Sequence, residues 1–479
     1  MSDTSFAGLI DRAAGAGDRA GIADPVRFLS YGALAGEAAA VARALSARGD
    51  YATVALLLPR SVDFLVALAA SSRLARTTLI FGPTLGPAEL QRAATVSGPE
   101  LIVASPAFAP RARLAAPAAD VATLEAGRLE WWGGEGRQAA APLMHAETPL
   151  AVLYTSGTTG APKGIVHSQG RLIANAAMVA DALGLGPHDV GLVGLPLSHA
   201  YGLNHVLAHA AAGARCLLTE ASPLPGLFAP PEWWAEVTNV PLVPTTLKLV
   251  VGAEMPPLPR LRLLLSAGGP LGSPLATTCA RRFPGVPLLN NYGQTEAGPR
   301  VTVGRVTVDA APGFVGQPLP GVSVQVLGGE DSGEIAVQTP TAMLGYLGAP
   351  EETARTLDGG WLRTGDLGRL DAAGGVHVTG RLSEVVHCAG VRVAAREIEE
   401  ALLMHPGVAE AAVVAVPHGA LGEVAKAFVI RAESGFASER ELKLFCRRAL
   451  APAKVPRQIV IVDALPRTAA GKVMKVALR

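Results

Sequence analysis

The stretch Tyr154-Thr-Ser-Gly-Thr-Thr-Gly-Ala-Pro-Lys-Gly164 decides how this chain is read. A short apolar run, Leu150 to Leu153, precedes it and has the character of a buried strand; beyond it Leu172, Ala176, Val179 and Leu183 recur at helical spacing. The pattern predicts a strand that feeds a polar loop and then a helix. Glycines permit close backbone approach and positive φ, Ser and Thr hydroxyls add donors, and Lys163 adds a cation, so the loop suits a polyphosphate. A Walker A loop is disfavoured, because there Gly-Lys-Ser/Thr opens a helix, whereas here Pro162 precedes Lys163 and Gly164 follows it. An isolated Gly-Thr-Thr-Gly is a common surface turn. Eleven ordered positions ask for more than a turn.

The 479 residues exceed one ordinary core and imply two or more domains. With 41 Lys and Arg against 40 Asp and Glu, the net charge of +1 leaves no electrostatic footprint for nucleic acid or an anionic membrane. Small molecules are the expected partners. Cys216, Cys279, Cys388 and Cys446 lie far apart with no Cys-x-x-Cys pair, as expected of reduced thiols in a cytosolic protein. Met1 to Asp11 has no basic region leading into an apolar core, and no apolar run is long enough to span a bilayer. The expected location is cytoplasmic.

From Tyr51 to Ser105 the pattern reads βαβαβ: a strand at Val54 to Leu58, a helix over Val62 to Leu74, a strand at Thr78 to Phe81, a helix begun by Pro87, then Leu101 to Ala104. The alternation resumes with strands near Val190 to Leu195, Cys216 to Thr219, Val240 to Val243, Leu261 to Ser266 and Leu288 to Tyr292, which predicts a second parallel sheet. From Val301 to Thr379 helices are expected to give way to short strands, among them Val322 to Val326, Glu334 to Gln338 and Val376 to Thr379. Beyond Gly380-Arg381 comes an α+β unit with helices Arg396 to Met404 and Ser438 to Leu450 and strands at Ala411 to Val416, Ala427 to Ile430 and Ile459 to Val462. Ser438 and Glu441 read as a capping box, with Leu442, Phe445 and Ala449 as that helix's apolar face. The expected fold is α/β: an N-terminal domain, 1–380, of two parallel-type βα sheets plus a small β subdomain, a hinge at 381–384, and a small α+β domain at 385–479.

The glycine-rich stretch resembles the signature loop of the adenylate-forming superfamily, and further stretches match that family in order along most of the chain. Leu195-Pro-Leu-Ser-His-Ala-Tyr-Gly-Leu203 resembles its fourth core motif, which places His199 beside the incoming carboxylate. Ser266-Ala-Gly-Gly-Pro270 resembles the adenine-binding turn, with Gly268, Gly269 and Pro270 against the base. Asn291-Tyr-Gly-Gln-Thr-Glu296 resembles the fifth core motif: Asn291, Tyr292, Gly293 and Gln294 at the nucleotide, Thr295 on the α-phosphate, Glu296 on Mg²⁺. Trp361-Leu-Arg-Thr-Gly-Asp366 resembles the ribose-binding motif, and Arg381 the residue before the hinge. Pro466-Arg-Thr-Ala-Ala-Gly-Lys472 resembles the C-terminal motif whose lysine meets the carboxylate and α-phosphate.

The resemblance implies an ATP- and Mg²⁺-dependent, AMP-forming ligase. Lys472, Glu296, Thr155 and His199 would serve the adenylation, and Thr155, Ser156, Gly157, Thr158, Thr159, Gly160 and Lys163 would hold the phosphates. The acyl pocket would take His199, Asn204, Ser266, Ala267, Gly268, Asn291, Gly298 and Arg300. In most of the family a thiol then attacks the acyl-adenylate after the small domain swings about the hinge, withdrawing Lys472 and bringing up Gly390-Val-Arg-Val393. CoA is the expected acceptor; a carrier-protein thiol, a nitrogen nucleophile, or a non-catalytic nucleotide-binding homologue are the other readings. Thr295-Glu-Ala-Gly-Pro299 is similar to plant hydroxycinnamate CoA ligases, which points to a small-molecule carboxylic acid, aromatic or otherwise compact. Three positions depart. Ser383 stands where the hinge usually carries Asp or Lys, Asn291 where those ligases have Gly, and Arg300 where they have an apolar residue. Arg300 therefore enters a more polar pocket toward an acceptor on the substrate, pairs with a protein acid and faces away, or lies on the surface.

Overall fold

The computed structural model describes residues 4–132, 150–156, 162–219, 231–307, 310–329, 332–388, 391–419, 422–432, 438–467 and 473–478. Strand Thr53–Leu57 pairs in parallel with Thr77–Ile80 on one side and Leu101–Ala104 on the other. Both outer faces are covered, so these strands are largely apolar without alternation, and Thr53–Leu57 and Leu101–Ala104 are buried throughout. Between the first two lies helix Val62–Arg73, capped by Ser61, whose hydroxyl accepts from Phe64 N at 3.3 Å, with Asp63 in its first turn and Arg73 in its last. This eight-stranded sheet carries Leu150–Ser156 parallel to Thr77–Ile80 and, beyond it, Pro162–Ser168 antiparallel.

A second sheet holds fourteen strands among the described residues. Arg215–Leu218, Val190–Val193, Asn239–Leu242, Leu263–Ala267 and Leu288–Tyr292 run parallel, the arrangement read from the sequence. At Tyr292 the direction reverses. Thr302–Arg305 pairs antiparallel with Leu288–Tyr292, and Phe314–Pro318, Val376–Arg381, Trp361–Leu370, Gly333–Gln338 and Ser323–Leu327 follow edge to edge. The β subdomain therefore continues the second sheet, and helix Pro350–Thr356 interrupts it, where only strands were expected.

The third sheet is built from Val385–Cys388, Val391–Ala394, Val408–His418, Gly422–Arg431 and Gln458–Ile461, with helices Ala395–Leu403 and Glu439–Ala449 packed on it. Its core, from Val386 to Ile459, shares no residue with the cores of the other two sheets. Two sequence expectations change here. Ser438 caps its helix by accepting from Glu441 N at 3.2 Å, but the Glu441 carboxylate lies 3.8 Å from His405 instead of returning to the cap. The inward row of that helix is Leu442, Phe445 and Cys446; Ala449 is exposed, because Cys446, one turn from Leu442, takes the position facing the sheet.

Gly316 holds the joint between the two halves of the second sheet. Its φ is +99°, and a Cβ there would lie 2.2 Å from Gly304 N, a backbone atom that cannot yield. Gly316→Ala is expected to lower stability by roughly 2–4 kcal/mol in urea unfolding. Gly321→Ala, also at positive φ but with nothing within 4 Å, should lose distinctly less.

Candidate active site

The glycine-rich stretch is an antiparallel hairpin rather than a strand running through a loop into a helix. Thr155 stands in register with Lys163, and Tyr154 with Gly164; helix Gln169–Ala182 begins only after strand Pro162–Ser168. Ile165 and Val166 are buried there, and two adjacent apolar residues do not reveal a strand by period alone. The Gly157–Gly160 tip, the Ser156 side chain and Lys472 lie outside the described residues, as does Gly390.

Lys163 pairs with Glu352 of helix Pro350–Thr356, and its ammonium lies 5.5 Å from the ring centroid of Tyr346. The Tyr346 hydroxyl donates to Glu296 Oε1 at 3.1 Å, while the Glu296 carbonyl accepts from Met343 N at 2.7 Å. Tyr346 thus ties the hairpin cation to the carboxylate, and burial pushes its phenol up. It went unnoticed in the sequence, where a lone Tyr in a strand-rich stretch carries no signal. His167 was missed as well. It is buried, and its Nε2 donates at 2.7 Å to the carbonyl of Thr295, setting the backbone from which Thr295 and Glu296 project.

Asp366 is 4 % exposed. Its Oδ1 accepts from Arg381 Nε at 2.8 Å, and its Oδ2 from the Tyr292 hydroxyl at 2.8 Å and Gln294 Nε2 at 2.7 Å. A carboxylate offers about four acceptor positions, so Asp366 retains one, on Oδ1. Gripping both ribose hydroxyls would require Arg381 to let go. Tyr292 is itself 9 % exposed, its hydroxyl held by this bond. Gly268, Gly269 and Pro270 form an exposed turn directly beyond strand Leu263–Ala267, with Gly268 at φ +79°. Gly298 is required by close approach: a Cβ would lie 2.4 Å from Thr341 Oγ1.

On the third side, exposed His199 is the N-cap of helix Ala200–Ala211. Asn204, 1 % exposed, donates to Asn175 Oδ1 at 3.1 Å. Asn175 in turn grips the backbone of Arg300, donating to its carbonyl at 2.9 Å and accepting from its N–H at 3.3 Å. Asn291 Nδ2 donates to the Ser266 carbonyl at 3.3 Å, across the parallel pair Ala267↔Asn291. Arg300 is 1 % exposed, which excludes the surface position. Its Nη2 donates to His205 Nδ1 at 3.1 Å; His205 Nε2 meets Asn239 Oδ1 at 2.9 Å, and Asn239 Nδ2 meets His209 Nε2 at 3.1 Å.

The family model described as AMP-binding enzyme matches residues 9–347, and that described as AMP-binding enzyme C-terminal domain matches 397–472. The chain belongs to the AMP-binding enzyme family. It is 31 % identical to 4-coumarate–CoA ligase 5 of Oryza sativa subsp. japonica, over 100 % of this chain and 94 % of that one. It is 34 % identical to 2-succinylbenzoate–CoA ligase of Bacillus cereus (strain Q1), over 70 % of each. The ATP-bound MatB of Rhodopseudomonas palustris superposes with a TM-score of 0.85 at 30 % identity, covering 99 % of this chain and 98 % of that one. This AMP-binding enzyme is an AMP-forming acid–thiol ligase that adenylates carboxylic acids. Among the described residues no helix is long and apolar enough to cross a membrane.

The buried histidines of the AMP-binding enzyme give it an acid limit. Burial lowers His167 and His209 to about 4 and pushes His205 well below its ordinary value, where His209 and Arg300 act in the same direction. Above about pH 6.5 folded and unfolded chains both hold these rings neutral, so their contribution to stability is complete. As the pH falls through 6.5 the unfolded chain takes protons that the fold refuses, and stability declines toward pH 4. Three refused protons amount to about 4 kcal/mol per pH unit at most. The melting temperature is expected to fall already between pH 6.5 and 5, where few carboxylates titrate; a flat profile there would contradict these neutral rings.

Proposed function

We propose that this enzyme adenylates a compact carboxylic acid with ATP, releases pyrophosphate, and transfers the acyl group to the thiol of CoA. The observation that carries this reading is the Lys163–Tyr346–Glu296 assembly beside the Thr155/Lys163 register: a cation and a hard anion held together at the carboxyl ends of two sheets. A carboxylate attacking an anionic phosphorus must be held in line while negative charge is neutralised. Lys163 and the hairpin amides would take the β- and γ-phosphates, Thr295 the α-phosphate, His199 the incoming acid, and Asp366 the ribose. Lys472 would stand between carboxylate and α-phosphate.

Magnesium fits this donor set. Among the described residues no cluster of three His, Cys, Asp or Glu could hold a metal alone. Mg²⁺ on a triphosphate needs only one or two carboxylates besides phosphate and water oxygens. Glu296 supplies one: Oε1 is oriented by Tyr346, and Oε2 takes no hydrogen bond from the described residues. The bound ion would offset phosphate charge. Residues 1–380 would form the adenylating body and 385–479 a small body that turns about 381–384, consistent with their separate cores. Glu384 pairs with Lys475, which also meets Glu399 at 2.8 Å, so the hinge charge sits one residue beyond Ser383. The names of the relatives, CoA ligases throughout, support CoA as the acceptor.

Pyrophosphate exchange across a panel of acids, with no acceptor present, tests the adenylation directly. Lys472→Ala is expected to slow exchange by on the order of a hundredfold or more while sparing thioester formation from a supplied acyl-adenylate. Equal losses in both half-reactions would remove Lys472 from the first step. Glu296→Gln should raise the Mg²⁺·ATP concentration needed for exchange and leave AMP affinity near that of the native enzyme. A parallel loss of AMP binding would mean that Glu296 does not act through the metal.

A further inference from the structure

Arg300 is a buried cation whose charge the fold leaves open. Its Nη2 donates to His205 Nδ1 and the Tyr201 hydroxyl stands close beside the guanidinium, while among the described residues Nε and Nη1 are buried with no acceptor at full hydrogen-bond distance. His205 is held as a neutral acceptor, since its other ring nitrogen is engaged by Asn239, so it takes a hydrogen bond without offsetting charge. The guanidinium lies 4.9 Å from the Tyr201 ring centroid, and among the described residues it forms no ion pair with an Asp or Glu. An unpaired charge in the interior is costly enough that proteins pair it almost without exception. Asn175 pins the Arg300 backbone from both sides and the His205–Asn239–His209 chain fixes the head group.

The surroundings are unsatisfied in the same sense. Among the described residues Ser266 Oγ, Asn291 Oδ1 and Asn204 Oδ1 are buried without a hydrogen-bond partner, and the Tyr201 hydroxyl, beside the Arg300 guanidinium and the Asn291 amide, has none at full hydrogen-bond distance. Tyr201 lies on the first turn after His199; Ser266 and Asn291 lie at the ends of the two strands whose next residues open the Gly268–Pro270 turn and the Gly293–Val301 loop. These groups therefore adjoin the turn and the loop proposed for the nucleotide. A hydroxyl on the substrate would satisfy one donor and leave the charge. A carboxylate would do both, accepting from guanidinium N–H groups and from hydroxyls.

We propose that the acid activated by this ligase is a dicarboxylic acid, whose second carboxylate is bound in the interior by Arg300 with the Tyr201 and Ser266 hydroxyls. The inference rests on the adenylation reading above. It makes Arg300 the specificity-determining residue at the far end of the acyl site, with the carboxylate nearer His199 the one that is adenylated.

The test is pyrophosphate exchange with pairs of acids matched in length, each a diacid and the corresponding monoacid with a methyl or carboxamide in place of one carboxylate. The wild-type enzyme is expected to favour its best diacid over the matched monoacid by on the order of a hundredfold or more in kcat/KM, because buried polar groups discriminate strongly against a partner lacking the matching group. Arg300→Met should collapse that ratio by a similar factor, and Arg300→Lys should retain part of it. The same diacid should raise the melting temperature of the wild type and not of Arg300→Met. In the ligand-free state Arg300→Met should melt no lower than the wild type, since an apolar replacement relieves an unpaired buried cation. A wild-type preference for monoacids, or an unchanged ratio in Arg300→Met, overturns the assignment. If Arg300→Met fails to fold, the wild-type ratio and Arg300→Lys decide. Exchange with no acid at all overturns the adenylation reading; exchange with monoacids alone overturns only the diacid.

Discussion

The site depends on one reversal of strand direction. Strand Leu288–Tyr292 is hydrogen-bonded in parallel to Leu263–Ala267 on one edge and antiparallel to Thr302–Arg305 on the other. The chain must therefore turn back on itself directly after Tyr292, at the carboxyl ends of the parallel strands, where open α/β sheets bind their ligands. Val301 N donates to the Tyr292 carbonyl at 2.8 Å and closes the loop. Within that single excursion stand Gln294, Thr295, Glu296, Gly298 and Arg300. Close approach decides its glycines: a Cβ at Gly293 would lie 2.2 Å from the Pro299 carbonyl oxygen.

Two buried charges meet at this loop, one against it and one within it, and the fold treats them differently. Asp366 accepts from three side chains, so it is a settled structural hub that also couples Tyr292 and Gln294 to Arg381. Arg300 is cationic and carries open donors, although its position is fixed as firmly. Interior charges are tolerated when hydrogen bonds and counter-charge meet them. The first meets that condition within the protein. The second, within the loop itself, is left incomplete, which separates a residue that holds the site together from one proposed to select what enters it.

Much of this architecture was legible in the chain. The βαβ alternation, the parallel strands and both C-terminal helices follow from apolar period and caps, because each is decided by residues near in sequence. The hairpin through Lys163 was not legible: Ile165-Val166 fits strand or helix, and only pairing with Leu150–Ser156 settles it. Nor was the continuity of the β subdomain with the second sheet, which depends on Phe314–Pro318 meeting Val376–Arg381 some sixty residues on. At the site, motif residues could be named but their contacts could not. Tyr346 lies 50 residues from the carboxylate it orients, and His167 is 128 residues from the carbonyl it holds. The sequence left Arg300 between surface and pocket; its burial required the Asn175 and His205 contacts to be seen.

The four cysteines acquire a meaning from the chemistry proposed around them. All four are buried and free, and burial pushes the Cys279 and Cys446 thiols up to about 11 and Cys216 higher still. Thiols so held are scarcely ionised near neutral pH and present no nucleophile to solvent. An enzyme that generates an activated acyl group for an external thiol thereby withholds its own. The mixed anhydride is insulated from self-acylation by the packing of the core, and Cys216, Cys279 and Cys446 offer alkylating reagents nothing to consume in the folded protein.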